Sequence, residues 1–128
     1  MKIVDIRLIG TTNSGSATIT ADRSVKGFLY KVKWVDGDLA DACTGSLTVT
    51  ETPEAVDETI LTLANPLGNA DKNYYPRDIV HTLAGAALSG TAGGDVAMPL
   101  VVGRLKLAIA SGGTAKTGGC IVYILEDE

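Results

Sequence analysis

Arg104-Leu-Lys-Leu-Ala-Ile-Ala110, Ser111-Gly-Gly-Thr-Ala-Lys-Thr-Gly-Gly119 and Cys120-Ile-Val-Tyr-Ile-Leu125 form the continuous stretch on which the fold turns. Leu105, Leu107 and Ile109 alternate with Arg104, Lys106 and Ala108, the two-residue period of a strand with one buried face. Cys120 to Leu125 is unbroken apolar sequence, as in a strand covered on both sides. The link between them is mostly Gly, Ser and Thr and can hold neither a helix nor a core. Two strands joined in this way predict a β-hairpin with a long, mobile tip.

Similar signals recur outward from this stretch. Val96 to Val102 contains Pro99, which cannot donate to a ladder and marks an edge or a bulge. Thr44 to Glu51 alternates Leu47 and Val49 with Ser46, Thr48 and Thr50, a strand with one wet face. Asp57 to Ala64 reads as a strand, as do Ile79 to Leu83, Ala17 to Ala21 near a sheet edge, and Lys2 to Ile9. In the last of these, Val4, Ile6 and Leu8 oppose Ile3, Asp5 and Arg7. Lys26 to Val35 is the strongest strand of the first half. Period two puts Phe28, Tyr30, Val32 and Trp34 on one face, predicted to anchor the core, and Leu29, Lys31 and Lys33 on the other. Gly85 to Asp95 is a small-residue loop without the strand and helix that a phosphate-binding glycine motif needs. Short strands at roughly ten-residue spacing predict an all-β fold: one antiparallel, jelly-roll-like β-sandwich domain over residues 1–128, with long Gly-rich loops.

The totals agree with that class. A chain of 128 residues buries somewhat under about 70% of its unfolded surface, enough for a core without disulfides or metals. Cys43 and Cys120 are too few for a zinc site or a disulfide framework and read as buried thiols in a reducing compartment. The formal net charge of -4 disfavours nucleic acid as a partner. No run approaches the roughly 18 apolar residues of a membrane span, and Asp5 and Arg7 interrupt the N-terminal apolar run, so the expectation is a soluble protein made in a cytoplasm.

Catalytic patterns are missing from the sequence. His81 is the sole histidine and no nucleophile elbow accompanies it, so it reads as structural or as a subunit contact. Asp36-Gly37-Asp38 with Asp41 lacks the twelve-residue calcium loop and its closing Glu. Glu51 with Glu54 and Asp57 with Glu58 lie at turns without an aromatic cleft for a sugar. These readings predict no enzyme, no cofactor and no metal. The candidate site is instead an interface: Tyr74, Tyr75 and Arg77, of residue types enriched at binding hot spots, with Lys31 and Lys33 on one strand face and Lys116 in the Gly-rich link.

Tyr74-Tyr-Pro-Arg77, the run from Pro99 to Gly113 and the ending Gly118-Gly-Cys-Ile-Val-Tyr-Ile124 resemble small structural proteins of tailed bacteriophages. Gly27-Phe-Leu-Tyr-Lys-Val-Lys-Trp34 and Asp57-Glu-Thr-Ile-Leu-Thr-Leu63 fit the same plan, so the resemblance runs from Lys26 to Leu125. It implies a virion protein made in the host cytoplasm. The form expected first is a capsid cement or decoration protein on the head, a homo-oligomer (dimer or trimer) that contacts the major capsid protein. A tail or head–tail connector subunit is the alternative within that class. Outside it stands a carbohydrate-binding β-sandwich that stacks sugars on Trp34 and Tyr30.

Overall fold

The computed structural model describes residues 2–51, 56–63, 71–79 and 96–126. These residues form strands β1 (Lys2–Thr11), β2 (Ala17–Val35), β3 (Thr44–Glu51), β4 (Val56–Leu63), β5 (Lys72–Tyr74), β6 (Asp78–Ile79), β7 (Val96–Ala97), β8 (Leu100–Ala110) and β9 (Thr117–Glu126), with no helix among them. Seven belong to one sheet, ordered β1-β9-β2-β8-β3-β4 with β5 beside β2, while β6 and β7 pair separately. All the ladders are antiparallel. The fold is therefore all-β, as the alternation predicts, and compatible with a single-domain β-sandwich.

The predicted hairpin does not form. β8 and β9 share no ladder, because β2 lies between them. The first part of β2 pairs with β8, from Ala17 opposite Ile109 to Phe28 opposite Leu100. The second part pairs with β9, from Phe28 opposite Leu125 to Val35 opposite Gly119. In this arrangement β8 and β9 each have a strand on both sides, which satisfies backbone groups that a terminal hairpin would leave at an edge. Ala17 to Ala21 is thus the start of a long inner strand, not a short edge strand.

The link between β8 and β9 is not a mobile tip either. Thr12 N–H donates to the Lys116 carbonyl at 2.8 Å, Ala115 N–H to the Thr12 carbonyl at 3.1 Å, and Gly112 N–H to the Gly15 carbonyl at 2.9 Å. The buried Thr12 hydroxyl donates to the Gly113 carbonyl at 2.7 Å and accepts from Lys116 N–H at 3.0 Å. Hydrogen bonds to a second loop thus replace the core contacts that the link lacks.

Each strand of the main sheet turns its apolar face to one shared core. Ile6 and Leu8 of β1, Cys120, Val122 and Ile124 of β9, Leu105 and Leu107 of β8, and Leu47 of β3 are all buried there. One cluster fed by both halves of β2 requires the sheet to curl about that strand and cover its own apolar face. Packing between β1 and the start of β2 shows the closure: a Cβ on Gly10 would lie 2.9 Å from Ile19 Cγ1. Burying a Leu or Ile in this way contributes about 1.5–3 kcal/mol each.

Two irregularities shape β2. Between Thr20 and Ser24 β2 carries two residues more than β8, and Arg23 is exposed there although Ala21 and Val25, of the same parity, are buried. Between Leu29 and Lys31 the ladder with β9 has one extra residue, Tyr30. A one-residue bulge reverses which side chains face the core. Leu29 is buried before it, and Val32 and Trp34 after it. The single aromatic face predicted for this strand is therefore split. Trp34 and Val32 are core residues as expected, whereas Phe28 and Tyr30 face outward.

Candidate interaction surface

Because of the Tyr30 bulge, Phe28 stands on the outer side of the sheet. Ile3 pairs with Leu125, Leu125 with Phe28, and Phe28 with Leu100, so these four side chains form a row across β1, β9, β2 and β8. Ile3 and Leu100 are each 61% exposed, Phe28 is 41% and Val102, two residues on from Leu100, is 40%. A groove of about 550 Å³ follows the Leu125, Phe28 and Leu100 part of the row and is also lined by Val102, Lys26 and Glu126. Glu126 also meets Arg23 at 3.5 Å. Scattered apolar side chains are ordinary on a surface, whereas a contiguous band with charged neighbours is a candidate contact surface.

The site residues expected from the sequence do not form one group. Tyr74 ends β5 opposite Val32 and packs half-buried against the core, so most of its ring is structural. Tyr75 is exposed and meets Tyr30 edge to face, with ring centres 6.1 Å apart. Arg77 Nη1 donates to the Tyr30 carbonyl at 3.0 Å and to the Pro76 carbonyl at 2.6 Å, with its guanidinium 6.0 Å from the Tyr75 ring. Tyr30, Tyr75 and Arg77 are thus one assembled cluster at the bulge. Lys31 Nζ sits 4.9 Å over the Tyr123 ring, and Lys33 lies between Ile121 and Asn73 in the ladders. Lys116 is exposed on the pinned loop at the opposite end of β9 and is not part of either group.

The apolar row itself was missed. Ile3 shares the wet parity of β1 with Asp5 and Arg7, and running the alternation of β8 back from Leu105 leaves Leu100 and Val102 outside. Those two signals are in the sequence. The exposure of Phe28 has no such signal, since it depends on the bulge.

Four carboxylates, Asp36, Asp38, Asp41 and Asp71, surround the turn after β2. Two of them serve the backbone: Asp71 Oδ1 accepts from Asp36 N–H at 2.9 Å and Asp38 Oδ1 from Thr117 N–H at 2.6 Å. Burial, followed by the negative charges of Asp71, Asp41 and Asp38, raises the Asp36 carboxyl above its usual range. No group of three His, Cys, Asp or Glu side chains placed to hold a metal occurs among the described residues. Cys43 and Cys120 are both buried thiols. Burial pushes the Cys120 thiol up to about 12, and raises that of Cys43 together with the charge of Asp36. Neither is a poised nucleophile, which would need a lowered pKa and access. Trp34 has no exposed surface and cannot stack a sugar, which removes half of the expected carbohydrate platform. His81, Glu54 and the side chains of Glu51, Asp57 and Glu58 lie outside the described residues.

No family model matches this sequence, and no curated protein matches it. Among solved structures the chain is similar to the crystal structure of FLHE, at 12% identity and a TM-score of 0.39, over 97% of this chain and 98% of that one. It is also similar to an apo Crh5 transglycosylase, at 16% identity and a TM-score of 0.41, over 97% of this chain and 72% of that one. At these TM-scores neither likeness bears on what this chain does.

Proposed function

We propose that this chain is a structural protein of a bacteriophage virion, a cement protein that binds the major capsid protein and stabilises the head. The observation that carries the reading is the outward apolar row Ile3, Leu125, Phe28 and Leu100 on an all-β frame, with Ile3, Phe28 and Leu100 exposed. It is joined by the strand and turn pattern from Lys26 to Leu125 that resembles phage structural proteins. A cement protein needs no reacting group. It stabilises a shell by binding the assembled lattice more tightly than its free subunits, which is ordinary linkage. Repetition over the lattice turns a modest contact into firm attachment.

Co-sedimentation tests the reading. Purified protein added to heads that lack it should pellet with them and raise their resistance to mild denaturant. Leu100→Glu should abolish pelleting while leaving the circular dichroism spectrum unchanged. A protein that never pellets with heads is not a cement protein, and one that fractionates with tails is a connector or tail subunit.

A further inference from the structure

We infer that β1 is a seam between two copies of this chain, its outer edge pairing antiparallel with β1 of the second copy so that Ile6 faces its own counterpart. β1 pairs with β9 along one edge without interruption, from Lys2 opposite Glu126 to Thr11 opposite Thr117. Its other edge has no ladder partner among the described residues, while its Gly10 end packs against Ile19 at the start of β2. A groove of about 500 Å³ opens along it, lined by Asp5, Ile6, Arg7 and Ile9 on one side and by the bulged part of β2 on the other. An edge this long, with neither a proline nor a bulge, is a template for another strand. The opposite end of the sheet differs, because β4 carries an extra residue, Ile60, against β3.

The order of residues along β1 says which strand fits. Ile3-Val-Asp-Ile-Arg-Leu-Ile9 is a palindrome of character about Ile6. Antiparallel pairing centred there sets Asp5 against Arg7 of the second copy and Arg7 against its Asp5. On the same outer face Ile3 meets Ile9. On the inner face Val4 meets Leu8, and Ile6 meets Ile6. A two-fold axis demands this self-complementarity, since each contact must occur twice. Centring the pair on Asp5 or on Arg7 would instead set like charges opposite each other, which is destabilising. Asp5 and Arg7 are exposed and carry no ion pair among the described residues, so both are available. The pairing would cover Ile3 and continue the β1-β9-β2 part of the sheet across the axis.

This deepens the virion reading by naming a contact between copies, and it rests on that reading only for its use. The test is the mass of the intact chain by sedimentation equilibrium. Wild-type protein should rise with concentration from 13.2 kDa to twice that value, less readily at high salt. Asp5→Arg sets two cations opposite each other across the seam and Arg7→Asp sets two anions. Each should weaken association by about tenfold or more. Mixing the two variants sets cation against anion at both positions, so the mixture should associate although neither variant does alone. The double variant Asp5→Arg with Arg7→Asp should associate like wild type. A wild-type mass fixed at 13.2 kDa up to about 1 mM overturns the proposal, as does a mixture that stays monomeric while both variants remain folded. Either result would leave co-sedimentation with heads untouched, so the two readings fail separately.

Discussion

Trp34 lies opposite Cys120 in the β2–β9 ladder, and neither has any exposed surface. The one tryptophan of the chain and one of its two thiols are thus sealed into the same layer of the core. Such a thiol reacts only when the core opens. At pH 8 a thiol reagent should label neither Cys120, held at about 12, nor the buried Cys43 in the native protein. Both should label at once in guanidinium, with Trp34 emission shifting to the red in the same transition. Labelling of Cys120 at the rate of a free thiol without denaturant would show that this layer is open.

Leu107 is fully buried in β8, paired with Ile19 on one side and Leu47 on the other. Leu107→Ala should cost about 2–5 kcal/mol of unfolding free energy in a urea titration. Leu100→Ala, on the same strand but facing outward, should stay within about 0.5 kcal/mol of wild type. Equal losses would mean that the apolar row is part of the core.

Two glycines separate steric from conformational cost. A Cβ on Gly27 would run into the Leu125 carbonyl oxygen and come within 2.9 Å of Ile124 Cγ2. Gly27→Ala should therefore lose about 1–3 kcal/mol or more by crowding two ladder-bonded strands. Gly15 has nothing within 4 Å of its missing Cβ, but its φ is 91° in the turn from β1 to β2. Gly15→Ala should cost about 1–2 kcal/mol from the backbone alone. Replacing Gly15 by Asn, which tolerates positive φ better, should recover part of that loss, whereas Gly27→Asn should be worse than Gly27→Ala.

The raised carboxyl of Asp36 has a defined sign in the pH dependence of stability. A carboxylate whose folded pKa lies above its unfolded value binds a proton more tightly when folded, so its ionisation at neutral pH opposes folding. Asp36→Asn should melt above wild type at pH 7. The difference should shrink as the pH falls through the folded pKa of Asp36, where the wild-type group becomes neutral too. Thermal melts over a pH series read this directly. A wild type that is the more stable at neutral pH would mean that the charge is stabilising where it sits.

Much of the strand content was legible because alternation is local. Leu47 and Val49, or Leu105, Leu107 and Ile109, face inward by the two-residue period of the pleat whatever lies beside them. β3 spans Thr44–Glu51, the same segment read from the alternation. The candidate site was less legible. Tyr75 and Arg77 gather at Tyr30, while Lys31 lies apart over Tyr123, Tyr74 is largely packing and Lys116 lies elsewhere. Phe28 and Tyr30 were assigned to the core by the same period that works for Val32 and Trp34. The extra residue between Leu29 and Lys31 is a mismatch between two strands, and no property of one strand encodes it.

By itself, then, the sequence determined the all-β class, most of the longer strand segments and the apolar face of most of them, because these follow from pleat geometry and side-chain character within a few residues. Only the tertiary structure decided that β2 separates β8 from β9, that the Gly-rich link is tied to Thr12, and that an apolar row runs outward from Ile3 to Leu100. The physical reason is that backbone ladder bonds are alike for every pair of strands. Neighbours and register are chosen by how all the apolar faces close over one core at once, and that is a property of the whole chain.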